Sequence, residues 1–118
     1  SFKLPKGNDD EIASRRNAIR SATLKATEKP YETAELALEL LKLLPELASK
    51  GNSNAVSDVG VAGLLASAAC KGALFNVDIN LGSLPDDYAK EIRENTPGIQ
   101  DECRILSRKV MDAVREKL

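Results

Sequence analysis

Between Ser57 and Leu81 the chain reads SDVGVAGLLASAACKGALFNVDINL, a stretch whose only basic residue is Lys71 and whose bulk is Ala, Gly, Ser, Val and Leu. Side chains this small let a neighbouring helix come close, yet polar groups interrupt the run where a buried helix should have none. Asp58 and Asn76 are eighteen residues apart, five turns at about 3.6 residues per turn, so on a straight helix they share an azimuth, with Asn80 beside it. The result is a polar stripe on an apolar rod. Asn76 and Asn80 are one turn apart and can grip one ligand, whereas Asp58 stands about 27 Å away at 1.5 Å rise per residue. A single pocket in one copy of the chain cannot hold all three.

Composition removes several function classes. With 118 residues, 42% hydrophobic and 30% charged, the chain reads as one soluble globular domain, and a net charge of -1 leaves no basic footprint for DNA or RNA. Ala55 to Leu81 is long enough to span a bilayer, but it carries Asp58, Lys71, Asn76, Asp78 and Asn80, and its apolar residues are mostly small. A bundle helix is the better reading, with no membrane partner. No N-terminal signal segment is visible, and Cys70 and Cys103 lack metal-ligand spacing, so reduced thiols and a cytoplasmic location are expected, with no metal. The chain has no His. Acid-base work therefore falls to Asp, Glu, Lys or Tyr.

Local signals divide the chain into helices. Asn8-Asp9-Asp10-Glu11 has the capping-box pattern and predicts a helix over 9–29. Its apolar stripe is Ile12, Ile19, Ala22 and Ala26, with Arg15 or Arg16 in a slot that another apolar residue would fill. Either an arginine lies along the stripe edge with its head in water, or it meets an anion. Pro30 predicts the start of a second helix, because proline is tolerated in a first turn. From Tyr31 to Lys50 leucines and alanines wrap well beyond one face, Pro45 bends the last turn and Gly51 is the expected C-cap. Asn52-Ser53-Asn54 carries N-cap chemistry, the small-residue helix follows, and Gly82 stops it. Ser83-Leu84-Pro85-Asp86 predicts a shorter helix, interrupted near Thr96-Pro97-Gly98, before a closing helix with Ile99, Cys103, Leu106, Val110 and Ala113 on one stripe. The expected fold is all-α, an antiparallel up-and-down bundle of four to five helices in one domain, 1–118.

These helices carry more apolar surface than they can cover among themselves. The expectation is an oligomer, further chain before Ser1, or both. Leu4-Pro5-Lys6, Arg15-Arg16, Pro30, Gly51-Asn52, Ser57-Asp58, Gly72-Ala73 and Asn76-Val77-x-Ile79-Asn80-Leu81 together resemble the cyclodeaminase/cyclohydrolase family. This all-helical domain forms the C-terminal part of formiminotransferase-cyclodeaminase and also occurs as a separate bacterial protein. The resemblance runs from Phe2 to Asp87, and the closing helix fits in character rather than by motif. The family's glycine-rich N-terminal segment and first helices have no counterpart, so the chain looks like the second half of a larger helical domain.

The resemblance implies folate chemistry, with a tetrahydrofolate derivative as substrate and no separate cofactor. In the cyclodeaminase reaction N10 of 5-formiminotetrahydrofolate attacks the amidine carbon and ammonia leaves, giving 5,10-methenyltetrahydrofolate; the alternative reaction hydrolyses the methenyl bridge. Under it Asp58 is a general base or a charge-assisted clamp, against a plainer role as a first-turn acid serving free backbone N–H groups. Asn76 and Asn80 read the donor and acceptor edges of the pterin, or else hydrogen bond between buried helices. Lys3 and Lys6 hold the glutamate carboxylates, with Lys6 an alternative proton source, or are simply solvated; Arg15 and Arg16 are further tail-binding candidates. Ser57 is expected to cap, and Cys70 and Cys103 to be core residues without chemistry. Two copies packing their small-residue helices antiparallel bring the Asp58 end of one to the Asn76 and Asn80 end of the other, enclosing a folate in a homodimer. The rival reading is a non-catalytic helical dimerisation or scaffold module whose polar stripe only sets register.

Overall fold

The all-α class is borne out, with fewer and longer helices than the prolines suggest. The computed structural model describes residues 9–118, and there the chain forms three helices, α1 (Asp9–Lys50), α2 (Ser53–Gly82) and α3 (Lys90–Lys117). The expected four to five reduce to three because α1 runs on through Pro30 and Pro45, and α3 through Pro97. A proline inside a helix leaves the carbonyl four residues back without its donor, a cost of about 3 kcal/mol that tertiary contacts must offset. For Pro30 that carbonyl is Ala26 O. Asn80 of α2 donates to it from Nδ2 at 3.3 Å.

The short helix expected from Ser83 is instead a series of turns up to Ala89. Its carbonyls converge on one side chain. Arg93 donates from Nε to Tyr88 O at 2.8 Å, and from a terminal nitrogen to Leu81 O, Leu84 O and Pro85 O at 2.9, 3.1 and 3.1 Å. Carbonyls held by a guanidinium are not feeding a helical ladder, so this segment closes the end of α2 and turns the chain. Ala89 then enters α3 from a left-handed conformation, φ 56 and ψ 44.

At the other turn, Asn52 caps α2, its Oδ1 accepting from Ala55 N–H at 2.9 Å. Gly51 follows α1 without the positive φ of the expected C-cap. Crowding accounts for the glycine, since a Cβ there would sit 3.0 Å from Leu47 O. Ser57, expected to cap, lies inside α2 and donates weakly to Asn54 O at 3.5 Å. α3 returns parallel to α1, tied at one end by Asn95 Nδ2 to Tyr31 Oη at 3.1 Å and at the other by Lys117 Nζ to Gly51 O at 3.2 Å. The molecule measures 70 × 24 × 14 Å. Its length is that of α1, whose 42 residues span about 63 Å at 1.5 Å each.

The core starts at Thr27 and continues through Tyr31, Leu38 and Leu41 of α1, Val56, Cys70 and Val77 of α2, and Ile99, Cys103 and Val110 of α3. None of residues 9–26 is buried, so the first turns of α1 project past the bundle. α2 and α3 approach closest at Gly63, where an added Cβ would lie 2.7 Å from Val110 Cγ1; at Gly60 the matching distance to Val114 Cγ1 is 3.4 Å. Between these contacts and the loop, Ser107 Oγ donates to Ser67 Oγ at 2.9 Å and lies 3.9 Å from Cys103 Sγ, with the buried Cys70 thiol beside Cys103.

Gly63→Val is expected to lower unfolding free energy by about 1–3 kcal/mol through overpacking against Val110, read from urea midpoints. Gly72→Ala, where a Cβ meets nothing within 4 Å, should instead raise it by about 0.5–1 kcal/mol through helix propensity.

Burial, then the hydrogen bond with Cys103, pushes the Cys70 thiol up from 9.0 to about 12, with Lys71 opposing. The folded chain keeps the proton that the unfolded chain loses above pH 9.0, so stability is full below that pH and falls toward pH 12. At about pH 8 the thiol should react with disulfide reagents only as fast as the protein opens. Stoichiometric labelling of native Cys70 within seconds would contradict this.

Candidate functional site

α2 buries one side against its neighbours and turns the other outward, where Val61, Leu65, Phe75 and Ile79 are all more than half exposed. Between α1 and α2 lies an open groove of about 490 Å³, lined by Leu36, Ala37 and Leu40 of α1 and by Ala62, Leu65 and Ala69 of α2. Asp58, Ala62, Leu65, Ala69, Asn76 and Asn80 recur at helical intervals, so this side of α2 carries an apolar middle with polar groups at both ends. The groove is therefore the place where the sequence's polar stripe meets a ligand-sized apolar surface.

Asp58 is exposed, and Asn52 already serves as the cap. It is the sixth residue of α2 and lies beyond the first turn, in which there is no acid. The role of a first-turn acid is thus removed. Among the described residues Asp58 takes part in no ion pair. Asn76 is exposed. Asn80 is half-buried and spends its Nδ2 on Ala26 O, the interhelical bond that offsets Pro30.

Arg15 and Arg16 are exposed on the projecting part of α1. From Arg16 to Ala26, the partner of Asn80, is about 15 Å along the helix, and to Lys50, at the turn leading to Asp58, about 51 Å. One copy thus gathers the asparagines and arginines toward one end and leaves Asp58 at the other. Lys3, Lys6 and the Asn8 cap lie outside the described residues. The expected enclosure of the polar stripe is not met within a single chain, where Asp58 and Asn76 both face solvent.

A second groove, between α2 and α3, has no counterpart in the sequence reading. It brings Lys71 and Phe75 to Gln100 and Arg104. Spacing of four within each pair is visible in the sequence, but which pair faces which follows only from the α2–α3 register.

The family model described as Formiminotransferase-cyclodeaminase matches residues 1–97. The chain belongs to this family. Along its whole length it is 34% identical, over 119 residues, to methenyltetrahydrofolate cyclohydrolase of Methylorubrum extorquens, of which it covers 57%. It is 37% identical over 91 residues to formimidoyltransferase-cyclodeaminase of Rattus norvegicus, a match covering 77% of this chain and 17% of that protein. With the Sus scrofa protein of the same name it shares 30% over 118 residues, 99% of this chain and 22% of the relative. The chain thus spans little more than half of the cyclohydrolase and about a fifth of the transferase-cyclodeaminases. The family match includes α1, α2 and the Arg93 loop and ends at Pro97, leaving most of α3 beyond it.

The Asn80 bond to Ala26 O predicts a coupled pair. Asn80→Ala alone should cost about 1–2 kcal/mol. In a Pro30→Ala background, where the backbone N–H restored at that position can bond Ala26 O, the cost should shrink by about 1 kcal/mol. Additive losses in chemical denaturation would show that Asn80 does not serve this carbonyl.

Proposed function

We propose that this chain contributes the folate-binding half of a formimidoyltetrahydrofolate cyclodeaminase, acting within a larger helical domain. The observation that carries the reading is that Asp58 and Asn76 are exposed on the side of α2 that lines an open apolar groove, one before and one after its lining residues along the helix, in a chain of the formiminotransferase-cyclodeaminase family. Both are exposed and neither is spent on the helix cap, and the apolar surface between them can stack on the face of a planar ring.

The chemistry asks for one group that moves protons. As N10 attacks the amidine carbon of 5-formiminotetrahydrofolate, the N10–C bond forms and N10 gives up its proton. The departing nitrogen gains one and leaves as ammonia, and the carbon retains its double-bond character in the methenyl bridge. Asp58 is the residue we assign to carry that proton. Asn76 presents an amide donor and an acceptor to the pterin edge. Arg15 and Arg16, with Lys3 and Lys6, supply cations for the carboxylates of the glutamate tail, Lys6 being the alternative proton source.

Asp58 and Asn76 act together if two copies set their α2 helices antiparallel, each site taking Asp58 from one copy and Asn76 from the other. Leu65, Ala69 and the exposed leucines of α1 then lie inside the interface. A second reading, methenyltetrahydrofolate cyclohydrolase, is favoured by the relative of that name whose match runs along the whole chain. There water attacks the same carbon and the bond to N5 opens, again with proton transfer through Asp58.

Methenyl absorbance separates the two: it should rise with the formimino substrate for the deaminase and decay on added methenyl substrate for the hydrolase. In the intact protein, Asp58→Asn should lower kcat by about 10²–10⁴-fold, and Asn76→Ala should chiefly raise KM. At substrate far below the raised KM, where each variant alone turns over little, mixing the two should restore about a quarter of wild-type turnover, because half the dimers are mixed and each carries one intact site. No recovery on mixing would remove the shared site, and full activity in both variants would favour the scaffold reading.

A further inference from the structure

The α2–α3 groove lies on the flank of α2 away from the α1–α2 groove and carries a different chemistry. It encloses about 350 Å³ and is lined by Lys71, Leu74 and Phe75 of α2 and by Gln100, Asp101 and Arg104 of α3. Cys70 pairs with Cys103, Ser67 with Ser107 and Gly63 with Val110, so the antiparallel register sets Lys71 opposite Arg104 and Phe75 opposite Gln100. Two cations thus share a groove with an aromatic ring that is 68% exposed.

This arrangement leaves both charge and apolar surface open to a ligand. Two cations line one groove, and a large exposed ring there forgoes its hydrophobic burial. One carboxylate lines the groove: Asp101 approaches Arg104 at 3.5 Å, with both side chains about 70% exposed, a weak pair. Lys71 takes part in no ion pair among the described residues. One positive charge is left over. Beside it Phe75 offers an exposed aromatic ring, and Gln100 an amide that both donates and accepts.

We infer that this groove binds an aromatic acid, its ring on Phe75 and one carboxylate, attached to the ring directly or through a short arm, between Lys71 and Arg104. A single carboxylate matches the single surplus charge, and Arg104 gives it directional donors. Two sources share this chemistry. One is the benzoyl-glutamate arm of a folate, which rests on the proposed function and leaves to Arg15 and Arg16 only glutamates beyond the first. Phe75 precedes Asn76, so a folate held at Asn76 can pass over Gly72, where nothing lies within 4 Å of a Cβ, and set its arm here. The other is a free aryl acid acting as a separate effector.

Titration calorimetry of the intact protein with N-(4-aminobenzoyl)glutamate, and separately with benzoate, tests the site. Saturable binding of either is expected, weakened about tenfold or more by Lys71→Gln with Arg104→Gln, and by Phe75→Ala, with Lys25→Gln on the exposed start of α1 leaving it unchanged. These residues are exposed at the surface, and circular dichroism checks that each variant keeps its helices. Displacement of the bound aminobenzoyl-glutamate by tetrahydrofolate supports the folate arm. Persistent binding in its presence supports the separate acid. Binding that survives in a protein with no folate turnover leaves the groove standing while the folate reading fails. No saturable binding of either probe at millimolar concentration, or affinity indifferent to the Lys71 and Arg104 changes, overturns the inference.

Discussion

α2 can lie against both neighbours only because its inward face is too small to hold them off. Gly60, Gly63, Ala66, Cys70 and Ala73 are buried there, and at Gly63 even a methyl group would collide with Val110. Close approach of the two backbones fixes the register, because sliding α3 by one turn would drive Val110 or Val114 into larger side chains. That register in turn joins Ser67 to Ser107 and Cys70 to Cys103, and places Lys71 across from Arg104. The contact with the least room thus sets the positions of groups with functional chemistry.

Inward packing of this kind leaves the opposite surface open. Leu36, Leu40, Leu43 and Leu47 recur at intervals of four, three and four along α1 and are 71, 43, 63 and 53% exposed. That is the spacing of a helix seam, standing next to the groove that Leu65 and Ala69 line from α2. A chain with such a face gains stability when another helix covers it. The proposed pairing of α2 helices would cover it with a second copy and bring Asp58 within reach of Asn76 in the same step. Folding and assembly of the site would then share one driving force, the burial of these leucines.

The prolines show how long-range contacts override local rules. Local rules expect Pro30 and Pro97 to break helices and Ser83 to begin one, yet α1 and α3 continue and the segment after Ser83 does not become helical. The partner that tolerates Pro30 is Asn80, in another helix; Arg93 gathers the loop carbonyls from beyond the loop. Neither relation leaves a trace in the spacing of nearby residues. The same holds for Asn80 itself. Its azimuth beside Asp58 was legible, but not that its amide nitrogen would be drawn to Ala26.

What the amino-acid order alone determined is whatever depends on residues within a turn or two: the all-α class, the Asn52 cap, the small-residue face of α2, and the azimuth shared by Asp58 and Asn76. Its motifs also pointed to the family that the comparisons establish. The tertiary structure decided the number of helices, which of the polar groups would be spent on the fold, and the pairing of Lys71 with Arg104. Those outcomes rest on which carbonyls find distant donors and on how closely α2 and α3 can approach. Both are set by contacts between residues far apart in the chain, and no local periodicity encodes them.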